Sequence, residues 1–114
     1  MHRMNKTPPR SLVLVAGLLF CFSTGTFAGD PEQGRKLAVQ CQTCHGIDGL
    51  AKIPIAPNIA GESQIYLQSQ LKAFRSGKRE HEMMSVVAKN LTDRQIADLA
   101  AWYESIEVTV TLPD

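Results

Sequence analysis

Apolar positions in this chain run continuously in one place and recur at helical spacing in three others. The continuous run is Leu12 to Phe22, without a charge. Arg3, Lys6 and Arg10 precede it, and small and polar residues ending Thr26-Phe27-Ala28 follow it. A basic start, a short apolar run and a small-residue end predict a secretory signal peptide over residues 1–28, cleaved after Ala28. Eleven residues at ~1.5 Å each reach about 16 Å, roughly half of a ~30 Å hydrocarbon core. Residues 12–28 also lack charge, so retention as an anchor is the alternative.

The first periodic segment opens at Asp30-Pro31-Glu32-Gln33. Asp30 suits a helix N-cap, Pro31 the first helical position, and Gln33 can reach back to the cap. Gly34, Leu37, Ala38, Cys41, Cys44 and His45 then share one helical face, and Gly46 ends the pattern. Residues 46–62 hold Gly46, Gly49, Pro54, Pro57 and Gly61 and read as a long loop, a length that usually signals function. A second helix is expected from about Ser63, with Leu67, Gln70, Leu71 and Phe74 as its stripe and Gly77 as its terminator. Met83-Met84 follow a charged connection, with a short helical stretch to about Asn90. Thr92-Asp93-Arg94-Gln95 is a capping box. Behind it Ile96, Leu99, Ala100, Tyr103 and Ile106 form the stripe of a last helix running to about Glu107. Residues 108–112 alternate like a strand but have no partner strand, and read as a tail. The fold class is therefore all-α.

Length and charge narrow the function. A chain of 114 residues is one domain at most. Removing residues 1–28 takes away three basic side chains and no acid, so the +1 of the whole chain becomes −2. Two-domain enzymes, large α/β sheets and strongly basic nucleic-acid binders are excluded. The remaining domain, residues 29–114, is small enough to need a staple such as a disulfide, a metal or a cofactor.

Cys41-Gln42-Thr43-Cys44-His45 names that staple. It is C-x-x-C-H, the attachment pattern for c-type haem. Two thiols three residues apart on a helix can each reach a vinyl group on one porphyrin edge, and the adjacent imidazole then faces the iron. A thioredoxin-type redox pair would need a βαβ context, which is missing. A Cys41–Cys44 disulfide would close a very small loop and constrain little. A zinc tetrahedron would use both cysteines, but His45 is awkwardly close to Cys44 and His81 alone does not complete it.

From Cys41 onward the sequence resembles a class I cytochrome c. The likeness is to small bacterial single-haem cytochromes and to one half of the bacterial two-haem carriers. Cys41 to Gly49, Ala56-Pro57-Asn58-Ile59-Ala60-Gly61, Tyr66 to Arg79, Met83-Met84 and Leu99 to Tyr103 carry it. Ile59 and Glu62 depart from that subgroup's usual leucine and glutamine. A single C-x-x-C-H implies one covalent haem c. The resemblance implies a class I cytochrome c fold, thioethers at Cys41 and Cys44, His45 as proximal iron ligand and a methionine as distal ligand. Counting back seven residues from Leu91 gives Met84, with Met83 second and His81 as another candidate. It further implies that the Pro57 carbonyl accepts a hydrogen bond from the His45 ring. Gly34 should let the first helix lie close to the last near Leu99 and Tyr103. Tyr66, Phe74 and Trp102 are read as pocket or core residues.

The function so implied is a periplasmic one-electron carrier, not an enzyme, working between membrane respiratory complexes as a monomer. The mature domain is expected neither to span the membrane nor to bind nucleic acid. Lys52, Lys72, Arg75, Lys78, Arg79 and Lys89 are candidates for a docking rim. The alternatives are a haem subunit held in a dehydrogenase or reductase complex, and a sensor or enzyme with an open iron position.

Overall fold

The computed structural model describes residues 28–114. The expected signal segment lies outside the described residues apart from Ala28. Five α-helices follow one another: α1 Pro31–Leu37, α2 Gln42–His45, α3 Gln64–Ser76, α4 Met84–Ala88 and α5 Asp93–Glu104. There is no strand among the described residues, and residues 108–112 are an irregular tail.

Local chemistry accounts for the helix ends. The Asp30 carboxylate accepts from the Glu32 and Gln33 amides, with Pro31 in the first turn. Ser63 Oγ accepts from the Tyr66 amide. Thr92 and Gln95 make both bonds of the capping box, at 3.1 and 2.9 Å. Gly77 ends α3 at φ 79°, a conformation that a Cβ would strain. One local expectation fails. The Asp30 amide is not met by Gln33; it donates to Asp98 Oδ1 of α5, 68 positions away, at 2.8 Å.

The first periodic segment is also not one helix. A 3-10 turn, Ala38–Gln40, separates α1 from α2. Each 3-10 residue advances ~120° where an α residue advances ~100°, so three of them rotate the following residues by about 60°. Consequently α1 faces α5, while α2 faces the interior space beside α3.

The crossing of α1 with α5 is very close. A Cβ on Gly34 would lie 1.9 Å from the Asp98 carbonyl oxygen and 2.8 Å from Trp102 Cβ. The contact is thus beside Asp98 and Trp102, each one residue before the Leu99 and Tyr103 expected. Gly29 stands in the same relation to the Ala97 carbonyl. Asp98 is buried there and is paired with Arg94 at 3.1 Å.

On its other side α5 packs against α3. The buried cluster joins Leu67 and Phe74 of α3 with Ile96, Leu99, Ala100 and Tyr103 of α5, plus Ala38, Ala88 and Leu91. Arg75 clamps the two helices, donating to the Leu91 carbonyl at 2.8 Å and to Asp93 at 2.6 Å. That use occupies one of the cations considered for a docking rim, and Lys52 is similarly paired with Asp48 at 3.0 Å.

Two tests follow from this packing. Gly34→Ala has no room without moving backbone, so it should lower stability by about 1–3 kcal/mol, read as a shifted denaturation midpoint. Hydrogen bonding from the Arg75 guanidinium, then its charge, holds the Asp93 carboxyl below the usual carboxylate range. A depressed folded value stabilises fully above the unfolded pKa of about 4 and loses its effect as pH falls through the folded value. Asp93→Asn should therefore be less stable than the parent at neutral pH, with the deficit closing below about pH 4.

Candidate functional site

Between α2, the loop of residues 46–62, α3, α4 and the inner face of α5 lies a cavity of about 430 Å³. This is in the ~300–1,000 Å³ range of ligand and cofactor sites. Cys41, Cys44, His45, Pro57, Met83 and Met84 all line it. The residues singled out from sequence are thus gathered around one space from three chain segments.

Each wall has a local cause. Following the 3-10 turn, α2 is a single helical turn ended by Gly46. Cys41 and Cys44, three apart, come to one side of it with His45, and neither cysteine is in a disulfide. Burial pushes the Cys41 thiol up to about 11, with Cys44 adding to the rise and a Tyr103 hydrogen bond opposing it. A disulfide-exchange pair needs the opposite, a depressed thiolate. Among the described residues no three His, Cys, Asp or Glu side chains gather as a metal-ion site.

His45 is buried, and its Nδ1 lies 2.9 Å from the Pro57 carbonyl oxygen. A carbonyl can only accept, so the ring hydrogen resides on Nδ1. The Nε2 lone pair is then available as a donor to a metal.

The loop carrying Pro57 has no regular structure, yet its backbone is tied down. The Gly49 carbonyl accepts from the Ile59 and Ala60 amides, and the Cys44 carbonyl accepts from Lys52. Asn58 Oδ1 accepts from the Ala51 amide at 2.8 Å. Two aromatic side chains of α5 complete the attachment. Trp102 Nε1 donates to the Ile47 carbonyl at 2.9 Å, and Tyr103 Oη donates to the Gly46 carbonyl at 3.2 Å. Trp102 therefore braces the loop from outside the cavity, with Arg35 over its ring. Tyr66 and Phe74 do line the cavity.

The facing wall is α3 and α4. Leu67, Leu71 and Phe74 supply apolar surface. Arg79 sits over the Phe74 ring at 4.5 Å and donates to Gln70 Oε1 at 2.6 Å, so a guanidinium is held at the cavity wall. The two methionines differ: Met84 is half-buried and packs on the core cluster, whereas Met83 is 51% exposed. The sequence alone offered no sign of the Trp102 and Tyr103 tethers, because their acceptors are carbonyls about 55 positions away.

The family profile for cytochrome c matches residues 31–107. This chain belongs to the cytochrome c family. Cytochrome c-554(548) of Halomonas halodenitrificans is 43% identical over 83 residues, covering 70% of this chain and all of that protein. Cytochrome c4 of Pseudomonas aeruginosa is 36% identical over 104 residues, covering 91% of this chain and 50% of its own length. The crystal structure of reduced recombinant cytochrome c4 from Pseudomonas stutzeri superposes with a TM-score of 0.68 at 31% identity, over 76% of this chain and 50% of that one. The chain therefore spans about half the length of these cytochromes c4. The fold is that of a class I, all-α cytochrome c, and its cofactor is covalent haem c.

The cavity suits that cofactor on its own chemistry. It combines apolar walls, two thiols three residues apart, an imidazole with a free Nε2 lone pair, and a thioether on the opposite wall. The Tyr103 tether yields a test. Gly46 O also accepts from the Gly49 amide, so Tyr103→Phe leaves it partly satisfied. The substitution should lower stability by about 1 kcal/mol in a denaturant titration and leave the haem absorption unchanged.

Proposed function

We propose that this protein is a periplasmic one-electron carrier whose haem iron is held between His45 and Met84. The observation that carries the reading is the shared cavity, with the His45 ring oriented by Pro57 on one wall and the half-buried Met84 on the other. Bound haem c supplies an iron centre that changes its charge by one electron.

The chain's residues do the rest. Cys41 and Cys44 fix the porphyrin edge through thioethers. The hydrogen bond to the Pro57 carbonyl holds the His45 ring and raises its donor strength. Met84 supplies a sulfur donor that favours the ferrous state, and so a higher potential than a second imidazole would. With protein donors on both sides, no coordination position is left for a substrate. This is why we read a carrier and not an enzyme. Arg79 holds a positive charge at the cavity wall, where it would be available to pair with a porphyrin carboxylate.

No helix among the described residues is long and apolar enough to cross a membrane. We infer a domain released by cleavage after Ala28 from the basic, apolar and small-residue order of residues 1–28. We take its partners to be membrane respiratory complexes, met in brief encounters by a monomer.

Met84 is preferred to Met83 because its side chain is already packed against the core, whereas that of Met83 is half in solvent. In protein matured with haem-attachment machinery, Met84→Ala should keep its haem. It should lose the weak long-wavelength sulfur-to-iron band of the ferric state, and its midpoint potential should fall by on the order of 0.1 V or more. Met83→Ala should change neither. The reverse pattern would assign the ligand to Met83, and a potential unaffected by either change would refute methionine ligation.

A further inference from the structure

The segment that bears Met84 is a weak element on its own. With five residues, α4 is far below the ~12–15 needed for an isolated helix in water. Its shape must come from packing and from its ends. Packing is thin, since Val86 is 71% exposed and the buried member of the helix is Ala88. The N-terminal end is held by one residue. The His81 carbonyl accepts from the Ser85 amide at 2.9 Å. The His81 ring Nδ1 accepts from the Met83 and Met84 amides, at 3.2 and 3.4 Å. The His81 amide in turn donates to Ser85 Oγ at 3.0 Å. Met83, at the N-cap position of α4, makes no side-chain cap bond of its own. The turn ahead of it carries reciprocal bonding like that of a helix cap, with an imidazole in the role that Ser, Thr, Asp or Asn usually fills.

We propose that His81 is a positioning residue for the distal ligand. It is not a donor to iron itself. Its Nδ1 is committed to the two backbone amides, and through them it fixes the turn from which Met84 enters the cavity. The inference rests on the assignment of Met84 above. For an external donor to reach the iron, the Met84 sulfur must leave, and leaving is easier from a frayed turn. The cap therefore biases the equilibrium toward the methionine-bound state.

The test is imidazole binding to the ferric holoprotein. A side-chain cap has the strength to make His81→Ala bind imidazole about fivefold more tightly than the parent. His81→Asn keeps an acceptor at the same place and should return the affinity to within about twofold of the parent. Both variants should keep the sulfur-to-iron band when imidazole is absent. Thermal melts accompany each titration, so that general unfolding is not mistaken for ligand loss.

Equal imidazole affinity in the parent and in His81→Ala would overturn the proposal while leaving Met84 ligation intact. So would failure of a folded His81→Asn to restore it. Loss of the native six-coordinate spectrum in both His81 variants, but not in Met84→Ala, would make His81 the ligand and overturn both readings. A parent protein whose imidazole affinity is unchanged by Met84→Ala would likewise overturn both.

Discussion

At the crossing of α1 and α5 one backbone rests directly on another, with the Asp98 carbonyl where a side chain at position 34 would begin. This contact sets the starting point of the 3-10 turn and hence the direction in which α2 presents Cys41, Cys44 and His45. Asp98 strengthens the same junction by accepting the Asp30 amide. Its charge is compensated by Arg94, as a buried carboxylate requires. The first and last helices therefore form a frame, and the cofactor-bearing turn hangs from it.

Within that frame the apolar core is modest. Ile96 and Leu99 are the largest fully buried side chains, and alanines at 38, 88 and 100 fill much of the remainder. Leu67, Phe74, Leu91 and Tyr103 belong to the core cluster and to the cavity wall at once. For a domain of this size a bound porphyrin would add apolar mass that these side chains do not supply. Cofactor attachment and folding stability are thereby one problem, consistent with the marginal burial open to a short chain.

Much of this was legible in the sequence, for a physical reason. Caps at Asp30 and Thr92, the helix start near Ser63, the stop at Gly77 and the C-x-x-C-H spacing are features of residues a few positions apart. Local pattern reports them directly. What escaped was non-local or depended on rotation. The 3-10 turn at Ala38–Gln40 leaves the apolar spacing almost unchanged, so periodicity could not separate one face from two. Nothing local to Asp98 marks its burial beneath α1. The Trp102 and Tyr103 tethers use backbone carbonyls, which have no residue type to be read. Arg75 looked like a surface cation and serves as a clamp between α3 and α5.

The partner of the His45 ring is a main-chain carbonyl. Unlike a carboxylate or an amide side chain, this acceptor survives any replacement at position 57. It can be weakened only by shifting the path of the loop, which the amides at 52, 59 and 60 and two α5 aromatics oppose together. The hydrogen bond that orients the imidazole is thus insulated from a change of side chain at position 57 itself.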